Sequence, residues 1–186
     1  LSFLIFGWGS LMNFAVFPIM LVDHFDAPNT FVGILSAAQS ATMVVAYVVV
    51  GRLIDRGSSL RQTFIGTLLV LLVPIGYLVA PGYWALLPVA LVAGVAQASG
   101  ELTYHTNVVQ MAPPGRLAEY AAAQSLLLGI RGSLAPFAAS ALLGLFSLHA
   151  VLLIGLSFMA AGTLVMVGAI REPAHEAREA IQPGAA

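Results

Sequence analysis

Six stretches of about twenty apolar residues, separated by short polar or Gly/Pro-rich punctuation, constrain this chain more than any other feature. An α-helix rises about 1.5 Å per residue, so roughly 20 apolar residues cross a hydrocarbon core about 30 Å thick. The runs are 1–22, 31–50, 63–80, 84–111, 119–146 and 150–170. Their connectors, 23–30, 51–62, 81–83, 112–118 and 147–149, leave no room for a soluble domain. Segments of this length satisfy their own backbone hydrogen bonds in lipid only as helices. The expected fold is therefore all-α, a six-transmembrane-helix bundle over residues 1–170 with a flexible tail at 171–186.

Composition narrows the function. Only 8% of residues are charged and 60% are hydrophobic, whereas a soluble domain carries about a quarter charged residues. All seven basic groups are arginine, the formal charge is -1, and no basic stripe exists to hold nucleic acid. The absence of cysteine excludes a disulfide framework, a thiolate metal site and a cysteine nucleophile. Without lysine there is no phosphate-binding glycine loop, so neither ATP chemistry nor any cofactor is expected.

The arginines orient the bundle. Arg52, Arg56 and Arg61 fall between the second and third runs, Arg116 between the fourth and fifth, and Arg171 and Arg178 in the tail. The other three connectors carry none, and cytoplasmic loops are the ones that retain positive charge. Both ends are expected in the cytoplasm, with the tail there too. Asp23, His24, Asp26 and His149 then lie near the outer face, and Tyr83 and Trp84 suit an interfacial aromatic belt. Leu1 opens directly into an apolar run with neither the basic lead nor the small-residue cleavage site of a signal peptide, so a truncated start is expected. Nothing resembles a transit peptide, and an inner or plasma membrane is the expected location.

Polar residues are unevenly spread. The third and sixth runs are apolar nearly all round and should face lipid. The fourth carries Gln97, Ser99, Glu101, Thr103, Tyr104, His105, Thr106, Asn107 and Gln110, and the first contributes Ser2, Trp8, Ser10 and Asn13. These two should face something wet. Gln97, Glu101 and His105 recur every four residues and share one helix face, with Tyr104 beside them. An ionised side chain at the bilayer centre costs about 2.5–3.5 kcal/mol, so such groups are functional candidates by default. Glu101 lies about 15 Å above the inner end of its helix and Arg131 about 18 Å above the start of the next, similar depths on consecutive helices. Three readings stay open. In one, Glu101 and Arg131 form a buried structural pair; in another, Glu101 and His105 lie on a proton or substrate path while Arg131 tunes the carboxylate or holds an anionic group; in the third, the charged groups merely snorkel. Asn13 and Trp8 are weaker cavity candidates.

The second and fifth runs carry small residues at four-residue intervals: Gly33 and Ala37, Ser36 and Ser40, then Ala121, Ser125, Gly129 and Ser133, and Gly132, Pro136, Ser140 and Gly144. Small faces let helices approach closely in lipid. Gly129, Gly132 and Pro136 are therefore expected to serve helix packing, with Pro136 freeing one backbone carbonyl.

The second connector reads Gly51-Arg52-Leu53-Ile54-Asp55-Arg56-Gly57-Ser58-Ser59-Leu60-Arg61. It resembles the signature loop of the major facilitator superfamily, Gly-x-Leu-x-Asp-Arg-x-Gly-Arg-Arg. Gly51, Leu53, Asp55 and Arg56 match in place; Ser58 stands at the second glycine and Arg61 comes late. The stretch from Gly129 to Pro136 is similar to a glycine/proline motif of the same transporters but departs from the antiporter form. The resemblance spans the chain, since in that family's six-helix half the first and fourth helices line the cavity, the second and fifth meet the other half, and the third and sixth are peripheral. It implies secondary active transport of a small solute by alternating access, H+ as a candidate coupling ion, and a partner that is either the missing other half or a second copy. The abrupt start and loose tail favour the C-terminal half.

A rhomboid-type protease needs Gly-x-Ser-Gly on the fourth helix and a histidine within the sixth; here Gln97 precedes Ser99-Gly100 and His149 lies ahead of the sixth run. Glu101 and His105 also lack the His-Glu-x-x-His frame of a metalloprotease, so no enzyme is expected. The remaining alternative is a six-helix module that homodimerises without transporting anything.

Overall fold

The computed structural model describes residues 2–56, 59–113 and 115–181, and every regular element among them is helical. α1 (Ser2–Ile19) ends in a π-helical turn, Met20–His24. α2 (Asn29–Arg56) and α3 (Ser59–Val79) follow, then a 3-10 turn, Tyr83–Ala85. α4 (Leu86–Met111), α5 (Leu117–Leu143) and α6 (Leu148–Ile181) complete the chain. All six helices contain a stretch long and apolar enough to cross a membrane. The first connector turns at Asp26, whose φ of 49° is a conformation that aspartate tolerates better than most residues. The fourth turns at Gly115, where φ is 82° and no side chain stands in the way.

Helix persists further than the apolar runs. α2 continues through Gly51–Arg56, which the sequence reading placed in a connector, because Arg52, Leu53 and Ile54 are adequate helix formers and no proline stops them. Gly57 and Ser58 of the signature lie outside the described residues, as does the Arg56 side chain. α6 likewise runs past Ile170 to Ile181 through a segment rich in Ala, Glu and Arg. Residues 182–186 of the expected tail lie outside the described residues.

The apolar core gathers at one end. Met12, Val16 and Met20 of the α1 segment, Val73 and Tyr77 of α3 and Ala135 and Ala139 of α5 come from the C-terminal halves of the odd helices. Phe31 and Leu35 of α2, Leu86 and Ala90 of α4 and Val151 and Leu152 of α6 come from the N-terminal halves of the even ones. Successive helices therefore alternate in direction, and this end carries the three arginine-free connectors. Aromatic rings close it: Phe17 stacks on Tyr77 at 4.5 Å, and Phe31 packs on Tyr83 and Trp84 at 4.8 and 5.0 Å.

Packing repeats when helix numbers advance by three. α1 lies against α6 and α5, and α4 correspondingly against α3 and α2, while α3 meets α6. Glycines make both sets of approaches. On α6, Gly155 and Gly162 receive Asn13 and Phe6 of α1; on α3, Gly66 and Gly76 receive Ser99 and Val89 of α4. Gly94 of α4 lies so close to α2 that a Cβ there would sit 3.0 Å from the Met43 amide nitrogen and the Thr42 Cβ. The expectation that α3 and α6 are peripheral holds only for their outer faces, with Leu68 and Leu72 or Leu153 and Leu164 exposed. α2 and α5 are the least buried helices of the six.

Gly94→Leu is expected to destabilise the purified protein by about 1–3 kcal/mol, because rigid backbone faces the new side chain. Gly33→Leu, at a position with nothing within 4 Å, should shift stability by less than about 0.5 kcal/mol. Thermal unfolding of both variants in detergent checks the pair.

Candidate functional site

Of the three residues spaced by four on α4, Gln97 and Glu101 join in one polar seam that α2 completes, while His105 makes no hydrogen bond to it among the described residues. The Gln39 Nε2 donates to Gln97 Oε1 at 3.0 Å, and Gln97 Nε2 donates to Glu101 Oε1 at 3.3 Å. The Tyr47 hydroxyl donates to the other carboxylate oxygen, Oε2. Both oxygens of Glu101 thus accept from protein donors. Gln97 and Glu101 nevertheless lie on an exposed face, ten residues from the end of α4 at Met111 for Glu101, about 15 Å into the helix. A hydrogen-bonded, ionisable carboxylate on an open face at that depth can take up a proton or bind a cation.

Sequence reasoning found Gln97 and Glu101 but missed Gln39 and Tyr47. Their signal was available: they are eight residues apart on α2, about two turns along the helix, and carry the largest polar side chains between Ser36 and Val50. Three more of α4's polar residues go to packing. Ser99 fills the hollow at Gly66, Thr103 Oγ1 donates to the Ser99 carbonyl at 2.7 Å, and Asn107 Nδ2 donates to Thr63 Oγ1 of α3 at 3.0 Å.

His105 follows Glu101 by one turn and is exposed, its ring meeting Tyr104 edge-on at 5.1 Å. Tyr104 is half-buried and tilts against Phe3 of α1 at 5.8 Å.

Arg131 does not join the seam. It enters α1 instead, donating from Nη1 to the Phe3 carbonyl at 2.9 Å, with its guanidinium carbon 4.7 Å from the centre of the Phe3 ring. Gly7 leaves the space it occupies, since a Cβ there would overlap the guanidinium. The pairing of Glu101 with Arg131 is thereby corrected. α5 leans on α1 while the seam turns toward α2, and among the described residues the one ion pair is Arg116 with Glu119, between exposed side chains.

Asn13 also departs from the expectation of a cavity wall. It is 1% exposed, seated over Gly155, and donates from Nδ2 to the Met159 sulfur at 3.4 Å. A glycine opposite an amide turns a polar candidate into a packing residue. Trp8 packs at the edge of the apolar core. Gly129 and Gly132 have nothing within 4 Å of a would-be Cβ, and Ser125, Gly129 and Ser133 line an open groove with Leu126, Ile130 and Leu134. α5 passes through the half-buried Pro136, and its inward face is Arg131, Ala135 and Ala139. In the signature, Leu53 and Asp55 are exposed at the end of α2, Gly51 is half-buried, and Asp55 makes no hydrogen bond or ion pair among the described residues.

The family model of the Major Facilitator Superfamily matches residues 1–185. No curated protein matches the chain.

A double-mutant cycle tests the seam. Tyr47→Phe removes one donor to Glu101 and should cost about 1 kcal/mol in thermal unfolding, below the roughly 1.5–3 kcal/mol of a bond to a charged group because the site is open. The same substitution made on Glu101→Gln should cost clearly less, leaving a coupling energy above about 0.5 kcal/mol.

Proposed function

The chain belongs to the major facilitator superfamily, whose members carry small molecules across the bilayer, and from that premise we propose that it moves its solute by alternating access with Glu101 as the proton-accepting group. The observation that carries this reading is the Gln39, Gln97, Glu101 and Tyr47 chain, which spans α2 and α4 on an exposed face within two membrane-length helices. Nothing in packing requires it: the glycine hollow at Gly94 already joins those helices. An ionised Glu101 accepts from both donors at once. On protonation Glu101 gains one O–H donor and loses the charge that strengthens the bonds it accepts from Tyr47 and Gln97, so the grip between α4 and α2 weakens. That is a local event able to bias two arrangements of the bundle.

The exposed apolar faces of α2 and α5 fit a second six-helix unit lying against them, with the solute between the units. We place the arginine-rich connectors in the cytoplasm and the protein in an inner or plasma membrane, on the strength of the positive-inside rule.

Two outcomes are expected. In proteoliposomes with an imposed proton gradient, a labelled metabolite mixture should yield at least one solute whose accumulation falls tenfold or more in Glu101→Gln, and accumulation should disappear with the gradient. Uptake that is equal in the variant, or indifferent to pH, returns Glu101 to a structural role. For topology, the chain has no cysteine of its own, so single substitutions report cleanly. In intact cells Ser147→Cys should react with a membrane-impermeant maleimide and Arg116→Cys should not; the reverse pattern inverts the bundle.

A further inference from the structure

Among the described residues Arg131 is a cation without a counter-ion. It lies fourteen residues from the start of α5 at Leu117 and twelve from its end at Leu143, about 18 Å from the nearer terminus. No arginine side chain reaches that far, so it cannot snorkel to a headgroup. It is 7% exposed. A guanidinium carries five N–H donors and stays charged in proteins. One acceptor is supplied here, the Phe3 carbonyl, and it engages Nη1. Nε is buried with no partner, and Nη2 likewise makes no hydrogen bond among the described residues. The acid nearest in depth, Glu101, is occupied by Tyr47 and Gln97.

The unsatisfied atoms are not arbitrary. Nε and Nη2 form the side-on edge of the guanidinium, the fork whose two parallel N–H groups match the two oxygens of a carboxylate or phosphate. The opposite corner, Nη1, is the one pinned to α1. Gly7 and the face of the Phe3 ring hold the plane in place, and Tyr104 lies beyond that ring. The arginine is fixed, and the two N–H groups of that edge are left without a protein acceptor among the described residues, Nε enclosed against α1.

We infer that Arg131 is an oxyanion-binding subsite, and that the transported solute carries a carboxylate or phosphate group which this fork engages. The inference deepens the transport reading and rests on it for the identity of the anion as a solute. The aromatic surround of Phe3 and Tyr104 favours a carboxylate on an apolar body.

Equilibrium binding to the purified chain in nanodiscs of zwitterionic lipid tests it without turnover. The probes are radiolabelled benzoate and inorganic phosphate, each competed by its unlabelled form. Saturable binding of at least one is expected, weakened tenfold or more in Arg131→Gln and less in Arg131→Lys, which keeps the charge but loses the fork; Arg116→Gln should bind as the wild type does. Phosphate bound in preference to benzoate would still support the subsite and name the solute's group. Binding of neither anion, or equal binding in Arg131→Lys and Arg131→Gln with helicity intact, overturns it. Should Arg131→Gln fail to fold, a fivefold loss in a folded Arg131→Lys carries the test, and an unchanged affinity there sinks the proposal. Arg131-dependent binding with pH-driven uptake unaffected by Glu101→Gln keeps the subsite and removes the proton path; the opposite pattern keeps the proton path alone.

Discussion

Hydrocarbon offers helices no hydrophobic reason to associate, because lipid tails are as apolar as leucine side chains. Association then rests on how closely two surfaces fit. In this chain the fit is made by glycines at the two central helices and their neighbours: Gly7 and Gly9 on α1, Gly94 on α4, Gly66 and Gly76 on α3, Gly155 and Gly162 on α6. Each removes a side chain where another helix must pass. The rotation of α1 and α4 about their axes follows from these hollows, and so does the direction in which every polar side chain on them points.

The same packing rule applied twice yields two different devices. The contact of α4 with α2 corresponds, when helix numbers advance by three, to the contact of α1 with α5. At the first contact a carboxylate accepts from a phenol and an amide. At the second a guanidinium donates to a single carbonyl and rests on a ring. A charge at mid-depth costs about 2.5–3.5 kcal/mol by insertion measures, and pairing the two would have offset much of that. They are kept apart instead, because each turns into the gap between its own helix and the neighbour that glycine has brought near. Unlike charges at equivalent contacts, on helices that do not correspond, are held separately, as the proposal of two different ligands requires.

The six spans and their alternation were legible because hydrocarbon thickness sets the length of an apolar run, and that constraint needs no neighbour to express it. The seam on α4 was legible for a similar reason, since spacing of four residues puts Gln97 and Glu101 on one face whatever surrounds them. What faced that seam was not, because Gln39 and Tyr47 matter only once the rotation of α2 is known. Asn13 and Arg131 show the same limit from the other side. Sequence marked both as costly polar groups within a span, but Gly155 opposite one and Gly7 opposite the other decide where each is spent. The family signature identified the chain although part of it, Gly57 and Ser58, lies outside the described residues. The small residues that bring helices together here sit chiefly on α1, α3, α4 and α6, while the denser stripe on α5 faces outward.

The position of the apolar core bears on how such a bundle moves. Its large buried side chains and stacked rings gather at the end bearing the arginine-free connectors. Glu101, Tyr47 and Arg131 all lie away from that end, Arg131 just beyond Ala135, the last α5 core residue in that direction. Stability within a protein is uneven, and elements with few buried contacts reorganise at lower cost than densely packed ones. On the transport reading proposed above, that end is the fixed part of the unit. The hydrogen bonds of the seam and the guanidinium of Arg131 lie beyond it, at the contacts made by α2 and α5, the least buried helices. Polar contacts of about 1 kcal/mol each are strong enough there to choose between arrangements and weak enough to be exchanged.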